Sequence, residues 1–335
     1  MWLSFLGLFV FAFTASLFLT PFIGILANKL RIVDVPGGRH LHDRVVPKLG
    51  GVAIFLSFIL VVLVTHRPTL TEWTVLGVGL IFLLIGVLDD AYRITPWSKL
   101  LGQLAAAIVL VMGGLEITTV ANPFTGSTIP PLVSLGTFSA LITVLWIVGL
   151  ANTVNLSDGV DGLVSGVTCI SAIILALLSI KTDNYPAAQM AVIFTGAVAA
   201  FLVYNFHPAK IFLGDSGTMF IGYFLAALGF LGGAKLATAL LVLGVPILDG
   251  GFTIVYRLLN GKPVYIGDRN HLHFRLLKQG LSPVQVCFIF YGLSCFFGVL
   301  ALFISGRQKL WALGLLFVIF LIGWISLYYL DRRRK

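Results

Sequence analysis

The sequence predicts an all-α, polytopic integral membrane protein, and three observations carry this prediction. Hydrophobic residues make up 59% of the 335 residues, charged residues make up only 10%, and the mean hydropathy is +1.03. A soluble fold would have too little polar material to cover so much apolar surface. The apolar runs are continuous rather than alternating, which favours membrane helices over the strands of a barrel.

Apolar windows of about 17–25 residues mark the candidate membrane helices. About eleven such windows follow one another, near residues 2–27, 49–65, 73–89, 99–117, 134–152, 161–180, 187–205, 216–232, 236–256, 284–304 and 310–330. We expect them to form a single membrane-embedded domain over residues 1–335. The first window is expected to be retained, because no basic residue precedes its apolar stretch as in a cleaved signal.

The charged residues are distributed unevenly between the predicted loops. Most of the 22 Lys and Arg residues fall on one side of the predicted helices, in alternate loops and in the Arg332–Lys335 tail. By the positive-inside rule this side is cytoplasmic, so the N-terminus lies outside and the C-terminus inside. Orientation thus accounts for the net charge of +9 without a nucleic-acid partner.

Acidic residues and histidines gather on the same predicted side. Most of the 13 acidic residues and every histidine except His66 fall there. Acidic residues contribute little to orientation, so their placement needs another reason. We therefore expect the cytoplasmic loops to form an active site, near residues 28–48, 90–98, 152–160, 206–215 and 257–283.

Asp89 and Asp90 stand at the predicted end of the third helix. The C-terminal end of a helix dipole disfavours carboxylates, and two adjacent carboxylates repel each other. A Mg²⁺ ion or a cationic partner would offset both penalties. Ionisable groups at a membrane boundary favour a functional role over a solvated turn.

Two further polar motifs carry carboxylates. Asn152, Asn155, Asp158 and Asp161 recur every three residues and would share one face of a helix. The alternative, that Asp158 merely caps the next helix, explains one carboxylate but not four polar residues in register. For Asp215, which stands where the eighth window begins, a helix cap and a metal ligand are equal alternatives.

The segment Arg269–Arg275 holds two histidines and two arginines. This composition is typical of an anion site, because guanidinium and imidazolium groups donate to phosphate oxygens. The alternatives are a basic loop that meets anionic lipid and a zinc site at His271 and His273, for which the sequence places no third soft ligand nearby. With Lys48 and Lys99, these cations and the carboxylates suit a Mg²⁺-bound diphosphate and a lipid substrate.

Five motifs together resemble the polyprenyl-phosphate N-acetylhexosamine-1-phosphate transferases, a bacterial cell-envelope family that includes phospho-MurNAc-pentapeptide transferase. They are Pro47–Gly51, Asp89–Asp90, Asn152–Gly162, Asn205–Gly217 and His271–His273. The resemblance implies that undecaprenyl phosphate attacks the β-phosphate of a UDP-N-acetylhexosamine and that UMP leaves. It also implies Mg²⁺ as cofactor, with Mn²⁺ as the alternative ion, and the bacterial cytoplasmic membrane as location; it leaves a homodimer open.

The resemblance implies roles for the motif residues. Asp89, Asp90 and Asp215 would be catalytic, with Asp215 as the main Mg²⁺ ligand and Asp89 as a second ligand or as a base beside the lipid phosphate. Phe212 would stack on uracil. Together with the anion site, the substrate contacts would come from Lys48, Lys99, Asn152, Asn155, Asp158, Asp161, Asn205, Phe212, His271, His273 and Arg275.

The choice of sugar depends on smaller features. The His271-Leu272-His273 form, the eleventh window and the basic tail resemble the branch that uses UDP-GlcNAc, whereas the MurNAc-pentapeptide branch has three consecutive histidines and ten helices. We therefore expect GlcNAc-1-phosphate transfer, the first membrane step of a cell-envelope polysaccharide pathway, with phospho-MurNAc-pentapeptide transfer as the alternative. Phe274 stands where the UDP-GlcNAc branch has a histidine, which leaves the sugar open.

A secondary transporter is the rival of a different class. Intramembrane carboxylates can bind ions or relay protons. The sequence shows no convincing internal repeat, and its carboxylates gather at one face, which favours an enzyme. It also has no G-x-x-x-x-G-K-[ST] loop for ATP-driven transport.

Overall fold

The computed structural model describes residues 2–36, 44–122, 131–232, 236–261 and 270–333. The described helices are α1 (Trp2–Lys29), α2 (Gly50–Thr65), α3 (Leu70–Tyr92), α4 (Pro96–Met112), α5 (Ser139–Leu156), α6 (Leu163–Lys181), α7 (Tyr185–Asn205), α8 (Gly214–Leu231), α9 (Leu236–Val242), α10 (Gly244–Leu259), α11 (Leu272–Lys278), α12 (Pro283–Phe303) and α13 (Arg307–Arg333). Two short antiparallel hairpins pair β1 (Val33–Asp34) with β2 (Val46–Pro47) and β3 (Thr119–Ala121) with β4 (Leu132–Ser134).

The prediction of an all-α, multi-pass membrane protein is confirmed. Within the described ranges, α1, α3, α5, α6, α7, α8, α12 and α13 are each long and apolar enough to cross a membrane. The helices α2 and α4 are shorter apolar helices of 16 and 17 residues. Each predicted window corresponds to a helix or a helix pair, while the number of crossings and the orientation of the termini stay predictions.

The ninth predicted window is a broken helix rather than a continuous one. We expected one helix over 236–256, but α9 ends at Val242 and α10 begins at Gly244, with a bend of 81° between them. Pro246 has no N–H with which to continue the hydrogen-bond ladder of α9, so it favours a break here. Leu316 of α13 packs where a Cβ on Gly244 would lie.

The helix α8 lies at the centre of the bundle. It packs against α2, α3 and α5, and every residue from Ser216 to Gly229 is buried. Phe224 packs on Phe58 and Phe194, with ring centroids 4.7 and 4.6 Å apart. Aromatic pairs of this geometry stabilise a core beyond the area that they bury.

Glycines bring the first turn of α8 directly against α2 and α3. A Cβ on Gly51 of α2 would overlap the backbone of Gly217, and one on Gly86 of α3 would overlap the backbone of Asp215 and Ser216. The three helices therefore approach backbone to backbone, as small residues allow in membrane helix packing. This contact fixes the position of Asp215 relative to the ends of α2 and α3.

Candidate active site

A cleft of about 640 Å³ opens at the end of the bundle where the predicted site residues gather. Its walls come from the C-terminal end of α5, the N-terminal end of α8 and the loops beside them. Phe212 and Phe274 contribute aromatic rings to the walls. The polar residues that line it are Asp34, Arg44, Lys48, Asn155, Asp158, Asp161, Asn205, His207 and Asp215.

One ammonium group beside this cleft joins α4 to three other helices, α3, α5 and α8. Thr95 caps α4 and Pro96 begins it, which places Lys99 in its first turn. The Lys99 Nζ donates to Asp89 Oδ2 at 2.8 Å and to Asp215 Oδ1 at 2.6 Å, and lies 3.4 Å from Asn155 Oδ1.

Asn155 completes this cluster, since its amide donates to the Asp215 carboxylate and to Thr218 Oγ1. We name the cluster of Asp89, Lys99, Asn155 and Asp215 the Lys99 centre. The structure thus brings together four of the residues that the sequence predicts for the site.

Asp90 has a different role from its neighbour Asp89. Its two carboxylate oxygens accept the backbone N–H groups of Asp215 and Ser216, each at 3.0 Å. Gly214 has a φ of 69°, and a Cβ there would overlap the Asp90 carboxylate. The positive N-terminal end of α8 compensates this carboxylate, so Asp90 holds Asp215 in place from another helix.

The sequence predicts one cation beside the Asp89–Asp90 pair, but the structure gives each carboxylate its own positive partner. Lys99 compensates Asp89, and the end of α8 compensates Asp90. Asp215 lies in the first turn of α8, whose own N-cap residue Leu213 makes no side-chain cap. The sequence left a helix cap and a metal ligand as alternatives for Asp215. The structure does not show Asp215 as the cap of α8.

The motif Asn152–Asp161 is only partly helical. The helix α5 ends at Leu156, so the predicted shared helical face is wrong beyond that residue. The helix ends just before Ser157-Asp158-Gly159, because small polar residues and glycine favour a break there. Asp158 does not cap α6, because the N-cap there is Gly162, which has a φ of 82° and no side-chain cap.

The four residues of this motif consequently separate. Asn155, Asp158 and Asp161 line the cleft. Asn152 instead points to α4, where its amide donates to Gln103 Oε1 at 2.7 Å. Asn152 therefore stabilises the packing of α5 on α4 rather than the cleft wall.

Asp161 and Asn205 fix the loop that joins α7 to α8. Asp161 Oδ2 accepts the Ala209 N–H at 3.1 Å and lies 2.9 Å from His207 Nδ1. Asn205 is buried, accepts from Ser165 Oγ at 2.7 Å and donates to the Ile211 carbonyl at 3.1 Å. These bonds position the loop so that Phe212 lies in the cleft wall. His207 also lies in the wall, although the sequence did not single it out as a site residue.

The charges of the cleft are mixed. Lys48 lies 3.6 Å from the buried carboxylate of Asp34, another residue that the sequence did not single out. The Asp158 side chain opens into the cleft but is surrounded by protein at longer range. Desolvation, followed by the negative charges of Asp215, Asp161 and Asp90, raises the pKa of Asp158 to about 7.

A second cluster lies behind the wall of the cleft. Asp249 Oδ2 lies 3.1 Å from His271 Nδ1 and 3.0 Å from His273 Nδ1, and Asp249 Oδ1 accepts the Leu272 N–H at 2.7 Å. All three side chains are buried. Burial lowers the pKa of His273 below its ordinary value, although the charge of Asp249 opposes this shift. We name these three residues the Asp249 cluster.

Asp249 is the functional candidate that sequence reasoning missed. The one signal that could have found it is an aspartate inside an apolar run, which is rare unless it is paired. Asp249 also changes the case for a zinc site. The side chains of Asp249, His271 and His273 offer ligand atoms within 4.8 Å of one another. The structure thus supplies the third ligand that the sequence lacked.

Arg275 lies away from the cleft, in an aromatic enclosure. Its guanidinium carbon lies 4.4 Å from the ring centroid of Trp324 and 5.5 Å from that of Tyr256, and its Nε donates to the Asn270 carbonyl at 3.0 Å. Such cation–π contacts bind α11 to α10 and α13. Its contacts therefore do not support the predicted substrate role, and Arg269 falls outside the described residues.

Carboxylates and cations thus converge on one cleft at the end of a bundle of apolar helices. Such a mixed set of side chains is typical of a site that binds an anionic group through a metal ion. The model of glycosyl transferase family 4 matches residues 72–233. A probable undecaprenyl-phosphate N-acetylglucosaminyl 1-phosphate transferase of Bacillus subtilis is 35% identical over 321 residues, which cover 94% of this chain and 88% of that protein.

Two other relatives are similar over most of their length. A decaprenyl-phosphate N-acetylglucosaminephosphotransferase of Mycobacterium leprae is 33% identical, over 87% of this chain and 82% of that protein. A phospho-N-acetylmuramoyl-pentapeptide-transferase of Halalkalibacterium halodurans is 29% identical, over 89% and 95%. The chain therefore belongs to glycosyl transferase family 4, among the polyprenyl-phosphate N-acetylhexosamine-1-phosphate transferases, and the resemblance carried by its motifs is confirmed.

Proposed function

We propose that the protein transfers GlcNAc-1-phosphate from UDP-GlcNAc to undecaprenyl phosphate and releases UMP, as the first membrane step of a cell-envelope polysaccharide pathway. The observation that carries the proposal is the Lys99 centre, where two carboxylates share one ammonium at the edge of a cleft. The names of the Bacillus and Mycobacterium relatives support GlcNAc as the sugar.

A divalent cation fits this site. Asp215, Asp89 and Asn155 offer the hard oxygen ligands that Mg²⁺ prefers, and the Lys99 ammonium already lies between the two carboxylates as a cation would. We propose Asp215 as the main ligand and Asp89 as the second, with Mg²⁺ as the ion and Mn²⁺ as the alternative. The bound ion would neutralise charge on the diphosphate of the donor.

The chain's own residues would align the two substrates. An oxygen of the lipid phosphate forms the new bond to the β-phosphorus, and the bond from that phosphorus to the bridging oxygen breaks as UMP leaves. Such transfer depends mainly on alignment and charge neutralisation. Lys99 and Lys48 would bind phosphate oxygens, Phe212 would stack on uracil, and Asp158 and Asp161 would shape the sugar end.

Asp89 would orient the lipid phosphate through Lys99. Proton removal is a small task, because the second pKa of a phosphate monoester is about 6 and most of it is dianionic at neutral pH. Asp89 is therefore proposed first as a positioning and metal-binding carboxylate, and as a base only second.

We place the active site on the cytoplasmic face of the bacterial inner membrane, within a single domain over residues 1–335. The excess of Lys and Arg in the loops predicted to be cytoplasmic supports this orientation. A homodimer is compatible with the proposal.

Purified protein in lipid nanodiscs, incubated with Mg²⁺ and undecaprenyl phosphate, tests the proposal. We expect UMP release with UDP-GlcNAc and none with UDP-MurNAc-pentapeptide. Release only with the pentapeptide donor would assign the protein to the alternative activity. Release with neither donor would refute transfer of a sugar phosphate from these nucleotides.

A further inference from the structure

We propose that Asp249 is a positioning residue for the end of the cleft that receives the donor. Through His271 and His273 it would fix Gly159 and Phe274, two residues of the cleft wall. The inference rests on the proposed function, because the ligand that this wall contacts is taken to be the nucleotide sugar.

The Asp249 carboxylate gathers three donors from one short segment. It accepts the backbone N–H of Leu272 and lies at hydrogen-bond distance from the Nδ1 atoms of His271 and His273. Both imidazoles are therefore protonated at Nδ1, so each directs its Nε2 away from Asp249. One buried carboxylate thus sets the backbone and both rings of the segment that precedes Phe274.

The far side of His273 meets the cleft wall. A Cβ on Gly159 would lie 2.5 Å from His273 Nε2 and equally close to the Phe274 ring. The His273 and Phe274 ring centroids are 4.4 Å apart. His273 Nε2 is buried and has no hydrogen-bond partner among the described residues. A movement of His273 would therefore be transmitted to Gly159 and Phe274 by direct contact.

Hydrogen bonds account for this geometry without a metal ion. Both Nδ1 atoms lie near the same carboxylate oxygen, at 3.1 and 3.0 Å, as expected for two N–H donors sharing one acceptor. The three side chains are at most 3% exposed, so solvent that could complete a metal coordination shell is excluded. We therefore infer a positioning role rather than a zinc site.

The experiment compares Asp249→Asn with a matched control at the opposite end of the bundle. Glu72 is also a buried carboxylate bonded to a histidine, with 3.0 Å between its Oε1 and His66 Nε2. Asp249→Asn replaces an acceptor with an amide donor, and we expect the KM for UDP-GlcNAc to rise about tenfold or more. The KM for undecaprenyl phosphate should change less than about twofold, and Glu72→Gln should leave both KM values unchanged.

A double-mutant cycle with Phe274→Ala separates positioning from simple stabilisation. If Asp249 acts through this wall, Asp249→Asn has a much smaller effect on the donor KM once Phe274 is removed. Gly159→Ala provides a second approach should Asp249→Asn fail to fold, because the added methyl would displace His273 and Phe274 from the other side. We expect it to raise the donor KM as well.

Three results would overturn the inference. One is a normal donor KM in Asp249→Asn, or in Gly159→Ala if the first variant does not fold, even where Tm falls. Another is stoichiometric zinc in the purified wild-type protein that Asp249→Asn loses. Wild-type protein that releases no UMP would refute the proposed function and this inference with it, whereas an active wild type with a normal donor KM in the variant refutes this inference alone.

Discussion

The Lys99 centre and the Asp249 cluster both join carboxylates to nitrogen donors, but they differ in access. In the Lys99 centre the side chains of Lys99 and Asp215 are 15% and 29% exposed, and Asp215 opens into the cleft. In the Asp249 cluster the side chains are 3% exposed or less. A carboxylate that a ligand can reach can exchange its partner for a metal or a phosphate, whereas a sealed one holds the chain in place.

The largest expected effect comes from Asp215→Asn, in the accessible cluster. Removing the charge should abolish the proposed metal ligand and lower the rate of UMP release by about 10³-fold or more. The rate is measured in nanodiscs at saturating substrates, with Tm as a check on folding. Asp183→Asn, at an exposed aspartate between the ends of α6 and α7 that lie away from Asp161 and Asn205, serves as control. Near-normal, Mg²⁺-dependent turnover in Asp215→Asn would show that Asp215 is not the metal ligand. The proposed difference in role between the Lys99 centre and the Asp249 cluster would then be wrong.

Lys99→Met tests whether the ammonium itself is needed. Without it, Asp89 and Asp215 face each other with no shared cation, and we expect the rate of UMP release to fall by about 10²-fold. Lys29→Met removes an exposed charge from the end of α1 and should change the rate little. Equal rates in the two variants would show that Lys99 is not part of the reacting site.

Asp90→Asn tests whether the adjacent residues Asp89 and Asp90 have different roles. Loss of this carboxylate weakens the cap of α8, and we expect the free energy of unfolding to fall by about 1–2 kcal/mol. The rate should fall by about tenfold, less than for Asp89→Asn, because Asp90 acts through the position of Asp215. Thermal unfolding and UMP release measure the two effects. A larger loss of rate in Asp90→Asn than in Asp89→Asn would contradict the division of roles.

The smallest expected effect is a pH dependence of stability from Asp158. Its pKa is about 7 in the fold, against an ordinary value of 3.8, so the folded protein holds this proton to higher pH than the unfolded chain. Stability contributed by the protonated group is therefore lost as pH rises from about 4 to about 7. In Mg²⁺-free buffer, Tm should fall less over this range in Asp158→Asn than in the wild type. An identical pH profile in both proteins would contradict the shift.

Hydrophobicity alone predicts most of the helices, because a membrane span leaves a long apolar run in the sequence. The break at Leu243 was not predicted, since Pro246 lies inside a run that stays apolar on both sides. The three-residue spacing of Asn152–Asp161 likewise suggested one helical face, but α5 ends at Leu156 because turn residues follow it.

The sequence predicted those site residues whose polar side chains at the ends of apolar helices had no evident structural explanation. Asp89, Lys99, Asn155 and Asp215 meet as expected, because each is a polar residue at a predicted helix end. The role of Asp90 could not be predicted, since its partners are backbone groups 125 and 126 positions away. Asp249 was not singled out because its histidine partners are far along the chain and a single carboxylate forms no local motif.

The glycine contacts of α8 also determine which parts of the cleft can move. Because Gly51 and Gly86 hold its first turn against two other helices, that turn cannot shift without forcing backbones into one another. The floor of the cleft is thus rigid, so a substrate has to adapt to the position of Asp215 rather than displace it. Hydrogen exchange should therefore show the first turn of α8 equally protected in the presence and absence of donor.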